Sequence, residues 1–452
     1  MRARRIAALS TRARRAAALV PSRCVSTCAE GSAVGAERAH FLGAKCSYTP
    51  AMRFYVPQED DTPAIMPALR LIDDDGRVIE GADIPALEAD VLRRMQQTMV
   101  SVNEFDKVFY DAQRQGRLSF YFTNRGEEAC SVGSGAALAD DDVIWPQYRE
   151  LGASFWRGYS IEDCANQCCC NALDVTKGRQ LPMHIGSPEK HLMYVKSNIG
   201  QQVPAAVGAA FALKRRGSEG GGLSGGRCSI TYFGEGAASE GDIPSALNIA
   251  AVHDCPTIFF CRNNGYAIST HADEQYRSDG IAPRGLAYGM RAMRVDGNDV
   301  LAVYAATREA RRIAVEEGKP ALIEAMTYRI GAHSTSDDDS FYRHADSPEK
   351  GVSERAFWEA RSPIIRFGRY LEARGLWSAE EEEEQRGQTR ARCIQALNDA
   401  ERVAKHHCRH LFTDVYDAPN WMLLQQQRQL KEHLQKYVDH YPDVSRDDVD
   451  TL

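Results

Sequence analysis

The sequence predicts an α/β protein: a mostly parallel sheet flanked by helices, with an extended N-terminal arm and a helical C-terminal region. Between about residues 116 and 330, short apolar runs alternate with amphipathic segments, the pattern of repeated βα units. A glycine-rich turn directly follows one of those runs, as expected at the carboxyl end of a strand in an open sheet. The chain's 452 residues, 43% of them hydrophobic, suffice for a large core.

The elements follow in chain order. Residues 1–29 hold seven arginines (positions 2, 4, 5, 12, 14, 15 and 23), five hydroxyl residues and no acid; the first acid is Glu30. Such a segment predicts a mitochondrial presequence, a disordered basic tail being the plainer alternative. The chain carries −7 overall, so the body without that segment stands at −14, which argues against a nucleic-acid partner. No stretch approaches the roughly eighteen uninterrupted apolar residues of a membrane span.

Residues 30–85, rich in Pro, Asp and Gly with little periodicity, predict an extended arm. Val91, Met95, Met99, Val102, Phe105 and Phe109 recur at three- and four-residue steps, one face of a long helix closed by Gly116. This helix opens an α/β domain over residues 86–360. Within it, Asp142 to Trp145, Ser229 to Phe233, Thr257 to Cys261 and Ala321 to Thr327 read as strands. Gly217 to Gly226 has the composition of a flexible surface loop.

Residues 361–452 read as helical. Ser378 with Glu381 fits a capping box, and the run Glu380 to Glu384 suits a solvated first turn favoured by the helix dipole. Leu430, Leu434, Tyr437 and Tyr441 keep helical spacing. The thirteen cysteines include no C-x-x-C pair. Cys164 with Cys168, Cys169 and Cys170 falls in a helix-like segment without a neighbouring His, so these read as reduced thiols and not as a metal site.

The glycine-rich turn carries the chemistry. Phe233 to Asp242 reads FGEGAASEGD. A turn of this kind usually cradles phosphate with backbone N–H groups, yet Glu235 stands between its glycines. A carboxylate tolerates a diphosphate neighbour when a divalent cation lies between them, and Mg²⁺ commonly takes one or two protein oxygens and the rest from phosphate and water. The second protein oxygen is expected after the next strand, where Arg262-Asn-Asn-Gly-Tyr follows Thr257 to Cys261. Asn264 lies 29 residues after Glu235, one βαβ unit away. An acid inside Gly-x-Gly followed by such an Asn is the thiamine diphosphate signature, with Glu here in place of the usual Asp.

With FGEGAASEGD, the stretches FFCRNNGYAIST, RVDGNDV, EAMTYRIGAHSTSDDD and SFYFTNRGEEACSVGS resemble the alpha subunits of branched-chain 2-oxo acid dehydrogenases. These are thiamine diphosphate-dependent decarboxylases of a mitochondrial complex. The likeness runs from about residue 65 to the C-terminus and implies the thiamine diphosphate-binding fold. It implies that Glu235, the Asn264 side chain and the Tyr266 carbonyl hold Mg²⁺. It further implies that Gly234, Gly236, Ala237, Arg262, Tyr148 and Arg149 grip the diphosphate side. Ser197 and Ile199 would meet the aminopyrimidine, and His333 would face the thiazolium and the reacting carbons. Taken singly, Tyr148 with Arg149 reads as a surface pair and His333 as an ordinary loop histidine.

The same resemblance implies a structural potassium ion near Lys196 to Gln202. Lys196 and Gln201 replace a Ser and a Thr of the family's stretch there, and an ammonium beside the site opposes K⁺. A dedicated kinase, with a phosphatase opposing it, inactivates the family at the serine matching Ser334, expected here in a mobile polar loop. The family's second phosphorylated serine falls at His344. Thiamine enzymes draw a glutamate from a second domain of similar fold, and the C-terminal region is too short to supply one. A separate beta subunit in an α₂β₂ assembly, docked on a lipoyl acyltransferase core, is therefore expected. The alternatives are an alpha subunit acting on pyruvate or acetoin, or a catalytically silent partner protein.

Overall fold

Ile258-Phe259-Phe260-Cys261 is apolar at every position, which suits a strand covered on both faces and not one facing water. In the computed structural model, which describes residues 38–42, 46–55, 65–219, 225–343 and 352–452, this run lies in the interior of a seven-stranded sheet. The strands of the molecule are β1 Tyr48–Thr49, β2 Ala68–Leu69, β3 Val143–Trp145, β4 Ser229–Gly234, β5 Thr257–Asn263, β6 Tyr266–Ala267, β7 Thr270–His271, β8 Arg291–Asp296 and β9 Ala321–Met326. The sheet order is β1-β2-β8-β9-β5-β4-β3, with every pairing parallel; β6 and β7 form a separate antiparallel ribbon.

Strand alternation divides the side chains between two cores. Tyr232, Phe260 and Ile323 face a core built with the helices Ala89–Arg114, Glu128–Ala136 and Val300–Glu316. Phe233, Phe259 and Leu322 face the other, formed with Gln202–Glu219 and Asp242–Val252. The four strands read from the sequence are all present, and β8 joins them. The long helix ends at Arg114, and Gly116 turns the chain at φ +79°. Among the described residues no helix is long and apolar enough to cross a membrane.

Tertiary contacts tie both terminal regions to the sheet domain. The arm reaches the sheet, where β1 and β2 complete it beside β8. Its polar residues are held because buried charge requires a partner. Arg70 and Arg366 share the buried carboxylate of Asp296, at 3.3 and 2.7 Å. Asp299 Oδ2 accepts from the backbone N–H groups of Leu71 and Ile72 at 2.7 and 2.8 Å. The C-terminal region is helical, as expected, and its first helices join the main core. Helices Pro363–Glu372 and Ala379–Arg402 pack along Ala89–Arg114, with Phe367, Leu371, Cys393 and Leu397 in the same core as Phe105. Glu104 on the first helix is buried and receives Arg386 and Arg390 at 2.8 and 2.9 Å. The loop at 217–226 is narrower than expected, because Gln202–Glu219 covers its start; residues 220–224, like residues 1–29, lie outside the described residues.

Ser378 caps its helix, accepting from Glu381 N at 3.2 Å. Leu434 is buried on Trp421–Tyr437, whereas Tyr441 lies beyond that helix. The described cysteines form no disulfide, and burial raises the thiols of Cys164, Cys168 and Cys169.

Candidate active site

The carboxyl ends of β3, β4, β5 and β9 open into one cavity of about 500 Å³. Its position follows from register. Gly234 pairs with Arg262 across β4 and β5, so the turns after those strands begin side by side. Residues far apart in sequence converge here: Tyr148 and Arg149 after β3, Glu235 after β4, Asn264 after β5 and His333 beyond β9. Ser197, Ile199, Gly234, Gly236, Ala237, Arg262 and Tyr266 complete the expected set on its walls. A Cβ at Gly236 would stand 2.6 Å from the Ala267 Cβ, so only glycine lets the turn pass under the ribbon.

Glu235 is 1% exposed, and its Oε2 accepts from Asn264 N at 3.2 Å. Burial pushes its carboxyl up to about 7. Asn264 Oδ1 accepts from Tyr266 N at 3.2 Å, and the Tyr266 carbonyl accepts from Arg329 Nη1 at 3.4 Å. Among the described residues, no group of three His, Cys, Asp or Glu side chains could hold a metal ion. One buried carboxylate, one amide oxygen and one carbonyl form a different donor set, and its hard oxygens fit Mg²⁺ when phosphate oxygens complete the shell. The buried Glu235 carboxylate, whose charged form burial disfavours, is the local observation that fits such a cation.

Arg262 lines the cavity and also has acid partners. Its guanidinium is buried between Glu150, at 2.5 Å, and Glu127. The reason is placement: an arginine inside an apolar strand must find acids nearby. Arg149 donates to the Thr123 carbonyl and, at 2.6 Å, to the His333 carbonyl. It therefore holds the loop that bears the histidine as well as lining the cavity.

Tyr148 Oη and His333 Nε2 are 3.4 Å apart. Burial, with the charges of Arg149 and Arg329, lowers His333 to about 3, so its imidazole is neutral at ordinary pH. Ser197 Oγ lies 2.9 Å from His184 Nε2, while His184 Nδ1 faces the Pro182 carbonyl at 3.2 Å. Lys196, Ser197, Asn198, Ile199 and Gln201 are exposed.

Ser334 is not in an open loop. It is 7% exposed, in a turn where Asp337 Oδ2 accepts from His333 N at 2.7 Å and from Tyr342 Oη at 2.5 Å. Thr335 ties the same turn to Tyr121 through its backbone N–H at 2.9 Å. Polar composition pointed to mobility, but these side chains serve local hydrogen bonds instead. His344 lies outside the described residues.

Sequence reasoning missed Glu127, Glu150, His184 and Arg329. The signal for the two glutamates was Arg262 itself, a charge in an otherwise apolar strand. Nothing in the sequence marked which acids would answer it.

Comparison with known proteins gives one consistent result. A family model described as the dehydrogenase E1 component matches residues 96–409. The chain is 46% identical over 407 residues to a human protein named 2-oxoisovalerate dehydrogenase subunit alpha, mitochondrial, covering 90% of this chain and 88% of that one. It is 45% identical over 410 residues to the Arabidopsis thaliana protein named 2-oxoisovalerate dehydrogenase subunit alpha 1, mitochondrial, covering 90% and 83%. A Caenorhabditis elegans protein named as the alpha subunit is 46% identical over 398 residues, covering 88% and 89%.

Proposed function

The chain belongs to the dehydrogenase E1 component family, and from that premise we propose that it is the alpha subunit of a mitochondrial branched-chain 2-oxo acid dehydrogenase. The reaction is thiamine diphosphate-dependent oxidative decarboxylation with transfer of the acyl group to a lipoyl acceptor. The observation that carries this reading is the meeting of Glu235 and Asn264 at adjacent strand ends, with His333 on the same cavity wall. It favours a working enzyme over a silent partner protein. When bound, thiamine diphosphate supplies the carbon nucleophile and the electron sink for loss of CO₂.

The chain's own residues do the rest. Glu235, Asn264 Oδ1 and the Tyr266 carbonyl would hold Mg²⁺, which would supply positive charge for binding the diphosphate. Gly234, Gly236 and Ala237 offer close backbone approach to the diphosphate, with Tyr148 and Arg149 beside it. Ser197 and Ile199, on the cavity wall, would meet the aminopyrimidine. The uncharged His333 imidazole holds or moves a proton at Nε2, near the reacting carbons, with Tyr148 Oη as its neighbour. Arg149 and Arg329 make that side of the cavity electropositive, which suits the carboxylate of a 2-oxo acid. Residues 1–29 serve as presequence. The domain over residues 86–360 supplies half of an active site that a beta subunit completes in an α₂β₂ assembly, docked on the lipoyl acyltransferase.

Purified without a beta subunit, the chain should show no appreciable decarboxylation of 3-methyl-2-oxobutanoate with Mg²⁺ and thiamine diphosphate. The co-expressed pair should be active, and should prefer branched substrates over pyruvate. Turnover by the chain alone would end the half-site reading, and a preference for pyruvate would reassign the substrate.

Ser334 is proposed as a single regulatory phosphorylation site. A phosphate adds about −1.5 to −2 charge at pH 7, placed here in the same turn as Asp337, which holds the His333 backbone. The charge pushes that turn apart and opposes an anionic substrate. Treating the assembled enzyme with a branched-chain-type kinase should place phosphate on Ser334 and abolish most activity, while Ser334→Ala resists both. Full activity of the enzyme phosphorylated at Ser334, read by mass spectrometry and assay together, would exclude the switch.

A further inference from the structure

Asn263 and Asn264 are neighbours in sequence, yet their amides point to different acids. Asn263 Nδ2 donates to Glu324 Oε1 at 2.8 Å and to Tyr276 Oη at 2.7 Å. Asn264 Nδ2 donates to Glu127 Oε1 at 2.9 Å. Each amide is thus held by its own buried glutamate. For Asn264 the consequence reaches the candidate cation site, because the two ends of an amide differ: one donates and the other accepts.

We propose that Glu127 is a positioning residue that turns the Asn264 amide so that Oδ1, and not Nδ2, stands on the Glu235 side. Glu127 is fully buried, and its second oxygen is engaged by Arg262. Both groups that meet it are donors, the Arg262 guanidinium at one oxygen and the Asn264 NH₂ at the other, so Glu127 stands there as an acceptor. An ionised carboxylate only accepts hydrogen bonds, and it repels an amide oxygen. At its other end, Asn264 Oδ1 accepts from Tyr266 N at 3.2 Å. Reversing the amide would set oxygen against Glu127 and NH₂ against that backbone N–H, losing both contacts. The alternative orientation is therefore strongly disfavoured. An NH₂ group facing Glu235 would offer no lone pair to a cation.

Backbone geometry explains how Glu127 reaches this place. Its N–H donates to the Asn124 carbonyl at 2.9 Å, closing the turn before helix Glu128–Ala136. The preceding Gly126 has φ +95°, and a Cβ there would stand 2.3 Å from the Tyr328 carbonyl. Thr327 Oγ1 also donates to the Gly126 carbonyl at 3.1 Å. The turn is pressed against the exit of β9, which sends the Glu127 side chain across to the end of β5. Arg262 then serves two ends at once: it pairs with Glu127 and joins it to Glu150.

The inference rests on the proposed Mg²⁺ site, and the test separates the two. Each variant is made in the enzyme assembled with its beta subunit, and Mg²⁺-dependent thiamine diphosphate binding is read by titration calorimetry. Glu127→Gln, which removes the obligate acceptor, should weaken Mg²⁺ binding about 10–100-fold, the range for groups that orient metal ligands. Glu127→Asp keeps a charge for Arg262 but withdraws from Asn264, and should fall between that variant and the parent. The decisive variant exchanges the two groups: Glu127→Gln with Asn264→Asp. There the introduced amide donates to the introduced carboxylate, whose other oxygen turns toward Glu235, and most of the lost affinity should return. A merely structural role for Glu127 would not produce that recovery. Parent-like binding by both single Glu127 variants overturns the proposal, as does an exchanged pair no better than Glu127→Gln alone. Unchanged Mg²⁺ dependence in Glu235→Ala would instead overturn the underlying metal site.

Discussion

Alanine in place of His333 should lower turnover of branched 2-oxo acids roughly 10²–10⁴-fold, the range for loss of a positioned proton-transfer group. Thiamine diphosphate affinity should hardly change. The separation follows from position: His333 lies beyond β9 with its Nε2 near Tyr148 Oη, whereas Glu235 and Asn264 follow β4 and β5. Steady-state turnover together with calorimetric cofactor binding checks it. A variant that keeps near-normal decarboxylation and acyl transfer would leave His333 a structural role only.

The pH dependence has a defined sign. The folded state lowers His333 from 6.5 to about 3, first through burial and then through Arg149 and Arg329. Between those values the unfolded chain binds a proton that the folded chain does not, so stability falls as pH drops from 6.5 toward 3. Above 6.5 both states are neutral there, and this residue adds no dependence. The rate profile of the assembled enzyme should accordingly show no limb near pH 6.5 that His333→Ala removes. Such a limb would mean that the imidazole titrates in the working range and is not held neutral there.

Glu235→Ala in the assembled enzyme should reduce thiamine diphosphate affinity by about 10–100-fold or more, by analogy with losses at other metal sites. Asn264→Ala should act in the same direction. Excess Mg²⁺ should restore part of the loss, because the remaining donors and the diphosphate still bind the cation. The magnitude reflects burial: the Glu235 carboxylate is 1% exposed, beside the Asn264 backbone N–H, and would be the one charged protein donor to the cation. Titration of cofactor at several Mg²⁺ concentrations measures this, and unchanged binding in Glu235→Ala would reject the metal assignment.

Much of the site was legible because parallel β-structure converts sequence spacing into position. An apolar run, a Gly-Glu-Gly turn, a helix and a second apolar run ending before Asn264 make one βαβ unit, and such a unit puts its strand ends side by side. Glu235 and Asn264 could therefore be paired from the sequence. The long helix was legible for a similar reason, since Met95, Met99, Val102, Phe105 and Phe109 repeat on one face and are all buried.

Other features were decided only by the tertiary structure. The partners of Arg262 are Glu150 and Glu127, 112 and 135 residues away, and no local pattern selects them from the chain's other acids. The arm's Arg70 and the C-terminal Arg366 both meet Asp296 for the same reason. Ser334 lies in a stretch whose composition promises exposure, yet Asp337, Tyr342 and Thr335 close it into a packed turn. Periodicity and turn chemistry act between near neighbours and can be read along the chain. A buried charge is satisfied by whichever group the completed fold brings within about 3 Å, and that choice exists only once the strands have assembled.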